Sequence, residues 1–409
     1  MIAAGLRAVP QSRGNVYISS FPELLLVLSV FTKEIASKRI GGVDIDFINY
    51  TFCIIYFFWN ITRILKAPGP PWKLFFYMIF SSLFSIFFLG LSYGGFVKQI
   101  IPIIIIYTVN FVIIEDYDWR NIFKLYVKFA YYSAIFGIIQ VALSYVGIQL
   151  LIRQMGRLDS IAYEPSHYAS ILIPALVFTF FHFREYKRMF LTMLVALILT
   201  YNLTGYLSFL LIIGFAYINP IYIILSVPAL YYLVFHVFAN FNENFSMRIN
   251  ETLAVFRGDT KILNSTVAAN GTTVSLYSNL MVAENNVKEN FLTGAGLGGH
   301  DEMYYRYYKN SLFRLNWYFG INSQSAHCLT IRVLSEFGLL GFVLYITTLI
   351  RKLVFLDNGI YRSISFACLS HFLCKTFKLG GYIDYGTPFF FAMLCINYAG
   401  YKMAGTKNG

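Results

Sequence analysis

The chain has 409 residues, of which 57% are hydrophobic and only 13% charged, and Phe (41) and Tyr (32) are unusually abundant. Soluble domains carry about 25% charged residues, so a chain this apolar cannot cover itself with polar surface in water. A soluble enzyme, a disordered chain and a secreted disulfide scaffold are excluded, and the net charge of +12 reads as basic cytoplasmic loops rather than nucleic-acid binding.

A membrane span needs about 20 apolar residues. Apolar runs predict about twelve transmembrane helices, centred on Leu26, Tyr56, Leu83, Ile105, Phe136, Leu176, Val195, Leu211, Leu225, Leu340, Leu369 and Phe391. Arg7 and Arg13 ahead of the run 24–31 resemble a signal peptide. No small-residue cleavage pattern follows and further spans come at once, so the first helix is expected to be retained. The run 191–218 is interrupted only by Asn202, Thr204 and Gly205, and suits two short helices better than one long one. With the N-terminus in the cytoplasm, short loops on that side hold about twice as many Lys and Arg as the outer ones, as the positive-inside rule requires.

The polar, Asn-, Tyr- and Gly-rich stretch 238–326, between the ninth and tenth helices, is too long for a structureless connection. It is expected to be a partly helical extracytoplasmic loop inserted in a single membrane domain, 1–409. The expected fold class is therefore all-α and polytopic. The cysteines Cys53, Cys328, Cys368, Cys374 and Cys395 have neither metal-ligand nor disulfide spacing, so no zinc site is expected.

Three polar clusters fall on the outer face of this layout. The segment 153–169 carries Arg153, Arg157, Tyr163, Glu164, Pro165 and Ser166. Pro165 suits the first turn of a helix, because its missing N–H would go unpaired there. Glu164 then sits at the helix entry, either as a carboxylate poised beside an arginine or as a cap with a surface ion pair. Arg248, just after the ninth helix, either snorkels to headgroups or holds an anion. His327 stands where the tenth helix begins, a place that favours bound anions and neutral imidazole. Glu336 lies two turns into that helix, with Arg332 as its i,i+4 partner.

Two further motifs carry less. Gly294, Gly296 and Gly298 imitate a dinucleotide fingerprint, but no βαβ unit frames them, so they read as a turn that lets backbones pack closely. The stretch 304–319 alternates aromatics with Arg306, Lys309 and Arg314, as an interfacial amphipathic helix or as a surface that stacks on sugar rings. The pair Asp44 and Asp46 is read as the entry to the second helix rather than as a cation site.

In order and spacing, Arg157 with Glu164-Pro165-Ser166, the run 290–298 (NFLTGAGLG), and His327 followed by Glu336 and Gly338-Leu339-Leu340-Gly341 resemble the bacterial O-antigen polymerase and ligase superfamily. The resemblance covers roughly residues 153–342 in motif detail. It implies a GT-C-like membrane glycosyltransferase of the inner membrane, active at the periplasmic face without metal or other cofactor. Such an enzyme moves a glycan from an undecaprenyl-pyrophosphate carrier. The matching positions are Arg157, Arg248 and His327, with Glu164 or His327 as the base. Arg153, Tyr163, Ser166, Arg306 and Arg314 are the expected substrate contacts. Expected partners are a lipid-linked oligosaccharide and membrane lipid, with a chain-length regulator and a flippase alongside. The Glu164-Pro165-Ser166 segment, and Cys328 where ligases often carry Asn, lean towards polymerase. A ligase acting on lipid A core remains the alternative, and a transporter of lipid-linked sugars is the reading from a different class.

Overall fold

The computed structural model describes residues 20–33, 37–40, 43–66, 72–150, 155–162, 164–218, 270–357 and 359–407, with a few single positions between 219 and 269. Helix α1 (Phe21–Phe31) leads into an antiparallel hairpin, β1 (Ser37–Ile40) and β2 (Val43–Asp46). Next come α2 (Phe47–Trp59), α3 (Ile61–Lys66), α4 (Trp72–Leu89), α5 (Tyr93–Asp116) and α6 (Trp119–Tyr145). The helices α7 (Pro165–Phe181), α8 (Phe183–Leu199) and α9 (Leu203–Tyr217) precede the long insertion. Its described part holds α10 (Gly271–Glu289), α11 (Gly299–Tyr307) and a 3-10 turn (Leu312–Leu315). The last three helices are α12 (Leu329–Arg351), α13 (Ile360–Phe377) and α14 (Thr387–Lys407).

Helices thus stand at eleven of the twelve predicted centres, and the twelfth, around Leu225, lies outside the described residues. The run 191–218 is two helices, parted at Thr200–Asn202 where Tyr201 turns left-handed (φ 47). Among the described residues, α4, α5, α6 and α12 are long and apolar enough to cross a membrane, while α1, α2, α7 and α9 are apolar but shorter. The hairpin amends the all-helical expectation. Its last residue, Asp46, caps α2 by accepting the Asn49 N–H at 3.0 Å, as the helix-entry reading required. The stretch 304–319 is not one helix: α11 ends at Tyr307 and a 3-10 turn follows.

The core is centred on α7, which is buried almost throughout and packs against α6, α8, α9 and α13. By contrast α2 and α4 present exposed Trp59, Phe80, Phe87 and Phe88, as lipid-facing helices do.

The decisive local feature is in α12. At Gly338 the backbone takes φ 61, ψ −163, a conformation open essentially to glycine alone, and the helix breaks. Ser335 and Glu336 lose the N–H groups of Leu339 and Leu340 that an unbroken helix would supply. The glycine-rich run replaces them. Ala295 N–H donates to Ser335 O at 2.8 Å and Gly296 N–H to Glu336 O at 2.7 Å, while Leu339 N–H and Leu340 N–H donate to Phe291 O (2.9 Å) and Leu292 O (3.3 Å). The motif is therefore a close-packing turn, as its glycines implied, and its contact is the interior of a broken helix.

Gly294 sits at φ 61, where an added Cβ would lie 2.6 Å from both Ser335 O and Gly338 N. Gly294→Ala is expected to cost more than about 2 kcal/mol through left-handed strain and overlap. The loss would appear as a lower thermal midpoint of the detergent-solubilised protein. A wild-type midpoint would show that the two segments separate cheaply.

Candidate functional site

Pro165 at the first position of α7 leaves Glu164 as an extended N-cap residue (φ −139, ψ 147) whose carboxylate is free to reach across to α13. Its Oε2 lies 3.0 Å from Nζ of Lys378, the residue that follows α13, and 3.7 Å from His167 Nε2, and Ser166 Oγ donates to it at 3.2 Å. Burial alone would raise this carboxyl, but Lys378, His167 and Ser166 together outweigh it and hold it down to about 2. The helix entry foreseen from sequence is therefore also an ion pair between two elements distant in the chain.

His327 reaches the same place from another direction. Ala326 (φ 52) and His327 (φ 64) make a left-handed turn before Cys328 caps α12. The imidazole is buried, with Nδ1 3.0 Å from Ser275 Oγ of α10, and its carbonyl accepts the Leu379 N–H at 3.0 Å. Burial and the charge of Lys378 push it down to about 4 against the pull of Glu164, so it is neutral at physiological pH. Lys378 thus acts on both Glu164 and His327.

The segment 379–386 joins this cluster to a cavity. At its far end the Tyr385 hydroxyl bonds His167 Nδ1 at 2.6 Å, and Lys33 lies 5.0 Å over the Tyr385 ring while pairing with Asp384. Burial raises the Asp384 carboxyl, but Lys33 and Lys375 together bring it below the usual carboxylate range. Lys375, fully buried, donates to Gly381 O (2.5 Å) and Thr387 Oγ1 (2.6 Å) and fixes the segment from behind.

The middle of the segment, 381–384, forms one wall of a cavity of about 850 Å³. Residues 320–325, Lys33, Lys98, Gln99 and Arg332 contribute the other walls. The foreseen Arg332–Glu336 pair is present at 3.4 Å and is part of a larger knot. Glu336 also accepts Tyr382 O–H (2.8 Å) and Gly298 N–H (3.0 Å), and Arg332 donates to Gly380 O (3.0 Å) and to Gln99.

The other expected site residues are placed differently. Arg157 Nε donates to Thr200 O at 3.0 Å, against the α8–α9 turn. Arg306 closes the end of α4 by donating to Leu89 O (2.9 Å) and Gly90 O (2.6 Å), and Arg314 donates to Lys309 O at 3.0 Å. Neither Arg306 nor Arg314 lines the cavity. Arg153, Tyr163 and Arg248 lie outside the described residues. The structure therefore brings Glu164, Ser166 and His327 together. It adds Lys378, His167, Tyr385, Asp384 and Lys33, which no spacing announced.

A model of the family described as O-antigen ligase matches residues 188–346, from α8 through the insertion into the second half of α12. No curated protein matches the chain.

The Glu164–Lys378 pair sets a pH window. A glutamate carboxyl ordinarily titrates near 4.5 and this one near 2, so its contribution is fully present above about 4.5 and is lost as pH falls through about 2. Lys378→Met is expected to remove most of that contribution, leaving the part due to His167 and Ser166. The wild-type advantage in thermal midpoint over the variant should then shrink between pH 6 and pH 3. An advantage independent of pH would assign the effect to packing.

Proposed function

Because residues 188–346 match a family model described as O-antigen ligase, we propose that the chain is a surface-polysaccharide polymerase of the inner membrane, active at the periplasmic face. The growing glycan leaves an undecaprenyl-pyrophosphate carrier and joins a lipid-linked repeat unit. The observation that carries this reading is the Glu164–Lys378–His327 cluster beside a polar cavity large enough for several sugar rings.

In the reaction, an acceptor hydroxyl oxygen bonds to the anomeric carbon. The bond from that carbon to the carrier phosphate breaks, and the hydroxyl proton passes to a base. Two groups are candidates, and accessibility favours Glu164: 43% of its side chain is exposed, against 5% of residue His327. The low pKa of Glu164 is itself made by Lys378. As the carboxylate takes the proton, Lys378 loses its partner while negative charge gathers on the departing diphosphate. One cation can thus serve first the base and then the leaving group. His327, neutral and fixed by Ser275, orients the acceptor. Arg248 is assigned to the donor diphosphate, whose charge suits a guanidinium fork, whereas Arg157, which donates to Thr200 O against the α8–α9 turn, is given no part in it.

The matched family is described as O-antigen ligase, and a ligase would deliver finished polymer to lipid A core. In a strain lacking the gene, loss of a polymerase leaves single repeat units on the core, whereas loss of a ligase leaves long chains on the carrier. Complementation with Glu164→Gln or Lys378→Met is expected to lower polymer at least about 100-fold at unchanged protein level. Ladders of wild-type intensity from Glu164→Gln would remove that residue from the chemistry.

A further inference from the structure

The described part of the insertion carries an apolar tip that the site does not use. Leu312, Leu315 and Trp317, in and just after the 3-10 turn, are 74%, 87% and 93% exposed. None of them lines the cavity. Turns that face water are normally built from Gly, Asn, Asp or Ser, and large apolar side chains held out of a fold together mark a contact surface. The tip is fixed from within. Phe313 is fully buried beneath it, its ring 5.0 Å from that of Tyr308 and 5.7 Å from that of Phe319. Ser311 Oγ accepts the Phe313 N–H at 3.2 Å, Asn316 Oδ1 accepts the Tyr318 N–H at 2.9 Å, and Arg314 donates to Lys309 O at 3.0 Å. The turn that buries Phe313 therefore holds Leu312 and Leu315 outside.

Its position identifies what covers it. Both α4 and α5 are long and apolar enough to cross a membrane, so the turn between them, residues 90–92, stands at a bilayer surface. Helix α11 lies across that turn. Gly298, just before α11, packs against Gly95 of α5. Further along, Glu302 Oε2 accepts the Ser92 N–H at 2.8 Å, and one turn later Arg306 holds Leu89 O and Gly90 O. The chain thus steps from α5 to the end of α4, where Phe84, Phe87 and Phe88 form an exposed, lipid-facing surface. Leu312 follows six residues after Arg306, a span of at most about 20 Å. Phe313 folds back on Tyr308, so the tip stays beside this end of α11. Residues 303–320 hold Arg306, Lys309 and Arg314 and no Asp or Glu. Lys309 and Arg314 are exposed. An apolar tip flanked by cations complements an anionic lipid surface, with Trp at headgroup level and Leu in the acyl boundary.

We propose that the 3-10 turn is a membrane anchor: Leu312, Leu315 and Trp317 enter the bilayer beside the end of α4, and Lys309 and Arg314 sit on anionic phospholipid headgroups. The anchor is independent of the glycan handled and so goes beyond the polymerase reading. It bears on the site because the cavity wall 320–325 begins three residues after Trp317, and Phe319 between them lies 5.7 Å from the Tyr304 ring of α11. Seating the tip sets the level of that wall against the bilayer from which a lipid-linked substrate would enter.

The test is tryptophan fluorescence of the full chain in nanodiscs of mixed phosphatidylcholine and phosphatidylglycerol, with bromine near the headgroup end of the acyl chains of one lipid, the other, both or neither. The chain has four tryptophans, so the Trp317 signal is read as wild type minus Trp317→Phe, a conservative change at an exposed position. Bromine on both lipids is expected to lower that signal by at least about half, and aqueous iodide to leave it nearly unchanged. Brominated phosphatidylglycerol should quench at least about 1.5-fold more than brominated phosphatidylcholine. Lys309→Gln combined with Arg314→Gln should make the two equal.

A Trp317 signal untouched by bromine and quenched by iodide places the tip in water and overturns the proposal. So does a tip open to iodide in nanodiscs but shielded in native membranes, which would assign the surface to a protein partner. Equal quenching by the two lipids in wild type removes Lys309 and Arg314 from the anchor. These readouts do not use catalysis, so the anchor and the polymerase reading fail separately.

Discussion

Everything around the site depends on an exchange of backbone hydrogen bonds at the break in α12. In hydrocarbon an unpaired peptide N–H or C=O costs several kcal/mol, so a helix can break in a membrane only where other protein groups repair it. Here the repair comes from 291–296, which donates to Ser335 and Glu336 and accepts from Leu339 and Leu340. The close approach needs bare backbone on both sides: Gly294 against Ser335, and Gly338 against Leu292. Small residues on α4 complete it, with Ser85 Oγ donating to Gly294 O at 2.9 Å and Leu297 N–H donating to Ser82 Oγ at 2.9 Å. One consequence is chemical. The break places the Glu336 carboxylate within 3.0 Å of the Gly298 N–H, and through Glu336 it aims Arg332 at the cavity.

A second consequence concerns the segment 379–386. It is held by three charged groups, the buried Arg332 on Gly380 O and Lys375 on Gly381 O, and the half-buried Lys33 on Asp384. Its ends carry left-handed non-glycine residues, Leu379 (φ 73) and Tyr385 (φ 53). Buried ion pairs rarely add net stability, because desolvation offsets their attraction. Their value here is positional. They fix a strained wall whose inner face lines the cavity and whose two ends meet His327 and His167.

Features set by hydrophobic period and local chemistry were legible in the sequence. Apolar runs located the helices, Pro165 located the start of α7, and the spacing of Arg332 and Glu336 gave their pairing. The glycines at 294, 296 and 298 gave close packing, but their partner was hidden, because the break at Gly338 looks from sequence like one more glycine in an apolar helix. Lys378 was hidden for a different reason. Its role depends on α13 ending beside the start of α7, a tertiary fact with no local signature, so it read as one more basic loop residue. Arg306 shows the converse. Set among aromatics it looked like a sugar contact, yet the end of α4 leaves carbonyls at Leu89 and Gly90 that need donors, and it supplies them.

The boundaries of the family match sharpen this division of labour. Residues 188–346 include the glycine-rich run, the broken helix, His327 and the Arg332–Glu336 knot, which form the frame. Glu164, His167, Lys378 and the wall 379–386 fall outside it, on α7, α13 and the segment that follows α13. These two helices are closely packed against each other, and the flanks meet the frame where Leu379 N–H bonds His327 O. On the proposed reading, a shared frame would carry the chemistry common to polymerases and ligases. The flanking unit holds the Glu164–Lys378 ion pair. On the proposed reading, the elements that would differ with the acceptor are α7, α13 and the 379–386 wall, because they carry the Glu164–Lys378 pair and lie outside the matched residues.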